Sequence, residues 1–214
     1  MAIPIETPLH AGLGRPNPAR LSISEQQSVV LAAADRLFYA GGIVPTTMRE
    51  IAKASSTSLG RLVRIYPTKE ALVVAYLAAR HDVDVRILDR LRASELSPTQ
   101  ILESALDGVI SDVLAPNFRG CPFLNAAAEA GLEYPDVARQ VREHRDWYTE
   151  ETTNLLRAAG HPHPADAADD LVLARDGGMA SIHGGNIIAA VAAMRRAILR
   201  AYREIDVAAG TAVA

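Results

Sequence analysis

Apolar residues along most of this chain recur three and four positions apart, the spacing that gathers them on one face of an α-helix. Val29, Val30, Ala33, Leu37 and Phe38 make the first such stripe, with Ser24-Glu25-Gln26-Gln27 ahead of it as a capping box and Gly41-Gly42 as its stop. Thr47-Met48-Arg49-Glu50 is a second capping box and predicts a short helix to about Ala54. Ser58 is placed to cap a third short helix, which Pro67 stops. Thr68 is placed to cap a long fourth one carrying Leu72, Val73, Tyr76, Leu77, Val83, Ile87, Leu88 and Leu91. Pro98 after Ser97, in the first helical position, restarts the pattern for Leu102, Leu106, Val109 and Val113. Further helices are expected over 123–131, 136–159, 165–183 and 186–206. No strand alternation of useful length and no internal repeat breaks the series.

The pattern therefore predicts an all-α chain of about nine helices. Residues 1–23 read as a disordered tail, since prolines and glycines alternate there with few large apolar residues. Residues 24–67 read as a three-helix head and 68–214 as a helical body.

Composition narrows the function classes. The 214 residues are 49% hydrophobic and 22% charged, an ordinary globular balance able to bury a core. A single cysteine, Cys121, excludes an intrachain disulfide framework and any CxxC metal or redox motif. No uncharged apolar run approaches the roughly 20 residues of a membrane span, and a basic-then-apolar signal pattern is missing, so the expectation is a cytoplasmic protein without a membrane partner. The net charge of −3 hides a division. Residues 1–80 hold nine Lys and Arg against five Asp and Glu, whereas 81–214 hold thirteen against twenty. A basic head on an acidic body suits an anion-binding head. Both lysines, Lys53 and Lys69, lie in the basic stretch 1–80.

Residues 47–66 form helix, tight turn, helix, the arrangement whose second helix enters the major groove of double-stranded DNA. Ile51, Ala52 and Leu62 are small or apolar where the two helices must pack. Gly60 lets a phosphate or backbone approach the second helix closely. Arg61 and Arg64 can donate to guanine edges or phosphates, while Thr47 and Thr68 sit at helix starts that favour a phosphate. With Ser58, Leu59, Tyr66 and Lys69, the residues Thr47, Gly60, Arg61 and Arg64 make the expected DNA-binding set. Arg15 and Arg20 of the tail could reach a minor groove.

The stretches Thr47-Met48-Arg49-Glu50-Ile51-Ala52, Ser58-Leu59-Gly60-Arg61-Leu62 and Tyr66-Pro67-Thr68-Lys69-Glu70-Ala71-Leu72 resemble the TetR family of bacterial transcriptional regulators. Ala33-Ala34-Asp35-Arg36-Leu37-Phe38 with Gly41-Gly42 fits the same family, as does Gly120-Cys121-Pro122-Phe123-Leu124-Asn125 for some members. The resemblance implies a homodimer joined through its last two helices, a near-palindromic operator, and a variable body whose small-molecule effector controls DNA affinity. Repression is the family's usual mode. The chain departs from the family pattern at Ser56, where glycine is usual in the turn, and at Val63 and Ile65, where phosphate-touching tyrosine and histidine or tyrosine are usual.

For an effector pocket the candidates are Leu106, Ile110, Phe118, Phe123, Trp147, Tyr148, Met179 and His183, against the alternative that apolar residues at helical spacing simply form core. The glycine-rich run 176–185 costs helix stability, and close approach at the dimer seam is its expected compensation. An enzyme reading finds little support. Glu143, His144, Asp146, Glu150 and Glu151 lack a second histidine at ligand spacing, and Ser181 and His183 point to different faces of a helix. No catalytic residue, metal site or cofactor is expected. Cys121 beside Arg119 reads either as a buried inert thiol or as an oxidant sensor. A dimer controlled by a protein partner, or by no effector, stays open beside the small-molecule reading.

Overall fold

A computed structural model describes residues 22–211, so the expected tail lies, but for its last two residues, outside the described residues. The elements are α1 Ile23–Gly41, α2 Met48–Ala54, α3 Leu59–Ile65, α4 Lys69–Arg92, α5 Pro98–Val113, α6 Pro122–Ala130, α7 Pro135–Ala158, α8 Pro164–Ala180 and α9 Ile187–Thr211, with a 3₁₀ turn Ser181–His183 between the last two. Among the described residues there are nine α-helices and no strand, as the periodicity predicts.

Helix starts follow the capping logic with one correction. The first box is Ser22 with Glu25, not Ser24 with Gln27: the Glu25 carboxylate accepts from the Ser22 amide and hydroxyl, both at 2.7 Å. A charged acceptor outcompetes the Gln27 amide for an orphan N–H, so the helix begins two residues earlier. Thr47 with Glu50 forms the second box as expected, and Ser97 with Gln100 forms another ahead of Pro98.

The described residues fall into two compact units, each built from discontinuous segments. The first takes 22–83 and 122–142: α1 to α3, most of α4, α6 and the start of α7. It is thus larger than a head ending at residue 67, because Arg80 of α4 pairs with Asp35 of α1 at 2.6 Å and Glu129 of α6 accepts from the Ile43 amide at 2.6 Å. Its core is Val30, Phe38, Ile51, Leu62, Leu72, Val73, Tyr76 and Leu77, with the Phe38 and Tyr76 rings 5.5 Å apart.

The second unit takes 84–121 and 143–211. Leu88, Leu91, Leu102, Leu106, Leu155, Leu156 and Leu171 form one cluster there, and Trp147, Ile198 and Tyr202 pack on it. In this unit α8 and α9 lie closely together. A β-carbon at Gly178 would collide with the Met194 side chain of the same chain. At Gly178 the glycine run therefore serves a contact inside one subunit. Gly185, at φ +85°, makes the left-handed turn into α9. Gly178→Val is expected to destabilise the fold by about 1–3 kcal/mol, the usual range for overpacking, as a lowered midpoint in urea with an unchanged slope.

Candidate nucleic-acid interface

Two short helices and a strained turn build the candidate interface. Thr47 accepts from the Glu50 amide at 3.3 Å, while the Glu50 carboxylate accepts from the Thr47 amide at 2.7 Å and hydroxyl at 2.8 Å. Those bonds hold the Glu50 carboxyl below the usual carboxylate range. Ile51 and Ala52 of α2 and Leu62 of α3 are buried, so the two helices are joined by a dry contact. Between them Ser56 takes φ +54°, the one positive-φ residue other than glycine among the described residues. An L-residue in this left-handed region costs about 1–2 kcal/mol, less where its neighbours hold it. Here the Ser56 amide donates to Lys53 and the Thr57 amide to Ala52. Ser56→Gly is expected to raise stability by roughly 0.5–1 kcal/mol, after the extra chain entropy of glycine is subtracted, and hence to raise the melting temperature by a few degrees.

Ser58 caps α3 by accepting from the Arg61 amide at 3.3 Å. The two turns that follow expose Leu59, Gly60, Val63 and Arg64, with Arg61 half-buried at the edge of that face. Around Gly60 a side chain would meet no atom within 4 Å, so the helix surface is open there. Arg49 and Lys53 of α2 are exposed as well, two cations outside the expected set.

Two residues of the expected set are held by contacts within their own unit. Tyr66 is only 9% exposed, and burial pushes its phenol up; its amide closes α3 on Leu62 at 2.8 Å. Its ring belongs to the core of the unit. The Lys69 ammonium donates to the Val44 carbonyl at 2.8 Å, and partial desolvation lowers its pKa against the pull of Glu133, Glu129 and Glu50. It ties the loop before α2 to the start of α4. Periodicity could not foresee either placement, because both depend on which loop folds over the residue.

Residues 30–76, from the middle of α1 into α4, match the model of the bacterial regulatory proteins of the tetR family. A TetR-family transcriptional regulator from Streptomyces coelicolor superposes at a TM-score of 0.76 and 28% identity, covering 85% of this chain and 96% of that one. The chain is thus similar to TetR-family regulators, in sequence over residues 30–76 and in fold over most of its length. TetR-type regulators from Agrobacterium tumefaciens and Legionella pneumophila share the fold at TM-scores of 0.73 and 0.72, each at 18% identity. The alignments cover 86% of this chain and 98% of the Agrobacterium protein, and 85% and 98% for the Legionella one. No curated protein matches the chain. The matched segment contains α2, the turn and α3, which have the helix-turn-helix arrangement.

The eight residues expected around an effector are divided between the two compact units. Phe123 is buried in the unit that holds the helix-turn-helix, whereas the other seven are in the second unit. Leu106 and Ile110 are buried, Leu106 in the apolar cluster on which Trp147 packs. Met179 is buried too. Phe118 is half-buried, and His183 is exposed in the 3₁₀ turn. Tyr148 lies under the Arg175 guanidinium, 4.3 Å from ring centroid to carbon. Burial opposes the Arg175 charge, but Tyr148, Cys121, Asp176 and Asp84 outweigh it and its pKa lies above the ordinary value. The Cys121 thiol is buried, 3.7 Å from that guanidinium.

Two hollows in this unit are polar. One, about 620 Å³ and open to solvent, is lined by Arg145, Asp146, Thr149, Glu150 and Asp169 among others; the other, about 180 Å³, by His161, Asp170, Arg200 and Glu204. Among the described residues no group of three or more His, Cys, Asp or Glu could hold a metal ion, and no helix is long and apolar enough to cross a membrane.

Proposed function

We propose that this regulator is a homodimeric, cytoplasmic repressor that binds a near-palindromic operator and is released from it by a small molecule. The observation that carries the DNA-binding part is the outward face of α3, where Leu59, open Gly60 and Arg64 stand on two turns anchored by the buried Leu62. Arg61 and Arg64 are the base or phosphate readers of this proposal. Ser58, Leu59, Gly60 and Thr47 are its close-contact surface, with Arg49 and Lys53 adding charge. Thr47 acts through its place at the start of α2, since its hydroxyl is already bonded to Glu50.

Support for a dimer comes from the last two helices. They leave Leu173, Ile188, Leu199 and Val207 more than half exposed, which is costly for a lone subunit in water. The three on α9 fall within an arc of about 100° at 3.6 residues per turn. Two heads on a two-fold axis then match two half-sites. TetR-family regulators act by binding and not by catalysis, and the same is proposed here.

Helix α4 supplies residues to both compact units, so an effector in the second unit has a continuous element along which to bias the first. Its effect equals its differential affinity for the two arrangements, typically 1–3 kcal/mol of coupling. A second reading, control by a protein partner, is favoured by the packed apolar cluster, the polar hollows and the exposed Leu114 and Leu132 outside α8 and α9. Selection of bound DNA from a random pool, then a screen for compounds that release it, tests the whole proposal. Enrichment of a two-fold symmetric site and release by a small compound are expected. No enriched site would end the regulator reading, and release only by a protein fraction would favour the second.

A further inference from the structure

The loop that leads from α1 into the helix-turn-helix has most of its polar main-chain groups bonded to identifiable partners. The Gly42 amide donates to Phe38 at 2.9 Å, and the Gly42 carbonyl accepts from the Thr46 hydroxyl at 2.7 Å. The Val44 carbonyl accepts from the Lys69 ammonium at 2.8 Å, and the Thr47 amide donates to Glu50 at 2.7 Å. Those four partners lie between residues 38 and 69. Two further donors, the amides of Ile43 and Val44, both point at one oxygen of Glu129, at 2.6 and 3.3 Å, and Glu129 is 86 residues from Ile43 in the chain.

Three further observations show that this contact is built and not incidental. A β-carbon at Gly42 would stand 2.9 Å from the same Glu129 oxygen, and Gly42 has φ +92°, so the residue provides both the turn and the room for the carboxylate. Successive amides aimed at one anion form a concave nest, and bonds to an ionised acceptor are stronger than neutral ones. The base of the carboxylate is fixed, because Ala126 and Ala130 on either side of it in α6 are buried. The loop is therefore gripped by a negative charge on its amides and a positive charge on its carbonyl.

We infer that Glu129 is a positioning residue for DNA binding: from α6 it fixes loop 42–46, and with it the direction in which α2 leaves and α3 is presented. A displacement of α6 that withdraws the carboxylate frees the loop and lowers affinity for DNA. The affinity half of this inference rests on the DNA-binding reading above; the loop half does not.

The test uses the full-length protein, the DNA site that it selects from a random pool, and the variants Glu129→Ala, Glu129→Gln and Gly42→Ala. Hydrogen exchange at the Ile43 and Val44 amides and DNA affinity at several salt concentrations are measured together. In Glu129→Ala, exchange at Ile43 is expected to quicken at least tenfold and affinity to fall about tenfold, with the salt dependence unchanged because no phosphate contact is lost. Glu129→Gln, which keeps an acceptor oxygen and the side-chain shape, is expected to recover part of both effects; Gly42→Ala is expected to reproduce the loss. Unchanged exchange at Ile43 in Glu129→Ala overturns the inference whether or not DNA binds. So does faster exchange with affinity held within twofold, since the clamp would then support the loop without positioning the helix. Should the wild-type protein select no DNA at all, the DNA-binding reading fails, and with it the positioning role. Glu129→Gln keeps the test open if Glu129→Ala fails to fold.

Discussion

Replacing Leu173 and Leu199 together by glutamate is expected to convert the proposed dimer into folded monomers and to lower affinity for a two-half-site DNA by at least about a hundredfold, since joining two heads raises avidity by about 10²–10⁴. The side chains are 62% and 53% exposed within the subunit, so neither contributes much to its own core. Substitutions at such positions usually change stability by no more than about 0.5 kcal/mol. Burying four carboxylates across a symmetric seam is a different matter, because each would lose its hydration with no partner to replace it. Sedimentation velocity should show a monomer with an unshifted melting transition. Affinity for an isolated half-site should stay at the wild-type value, which separates lost bivalency from damage to the head. A double variant that still sediments as a dimer would move the seam away from these faces.

The second large effect is expected at α3. Arg61→Ala should weaken binding to the selected site by about 1–3 kcal/mol if the guanidinium reads a base, a loss of roughly 5- to 150-fold. The loss should then shrink on DNA altered at the contacted position. If Arg64 meets phosphate, Arg64→Ala should weaken binding to all sequences alike and reduce the salt slope by about one. The contrast with Lys69 sharpens this pair. Its ammonium is engaged by the Val44 carbonyl, so Lys69→Met should leave the salt slope near the wild-type value while loosening the loop before α2. Equal effects of all three substitutions on every DNA would make α3 a general cationic patch and not a reading helix.

Much of the candidate interface was legible because it is local. Thr47 with Glu50, Ser58 with the Arg61 amide, and Thr68 with the Ala71 amide at 3.0 Å are contacts between residues three apart, and such pairs can be read from spacing alone. The departure from glycine at Ser56 likewise predicts strain, and the residue does hold φ +54°. The contacts of Tyr66 and Lys69 were not legible for the opposite reason. Each is positioned by a fold-level neighbour, and a residue three positions beyond a reading helix can turn inward or outward at equal cost until that neighbour arrives.

The effector candidates show the same divide more strongly. Helical spacing marked Leu106, Ile110 and Met179 as apolar and inward, and all three are buried. Spacing carries no information on whether inward means core or cavity, since both present the same side chains to the same face. Nor could it reveal that Arg175 stacks on Tyr148 or that Phe123 belongs with the helix-turn-helix rather than with Phe118.

What the sequence determined by itself was the ladder of helices, their starts and stops, and the recognition motif, because capping bonds and the 3.6-residue period act within a few residues. Tertiary structure alone decided that Glu129 grips the loop ahead of that motif, that Gly178 yields its space to Met194, and that α6 joins the head. Each of these needs two segments far apart in the chain to meet, and only the burial of a shared apolar core brings them together.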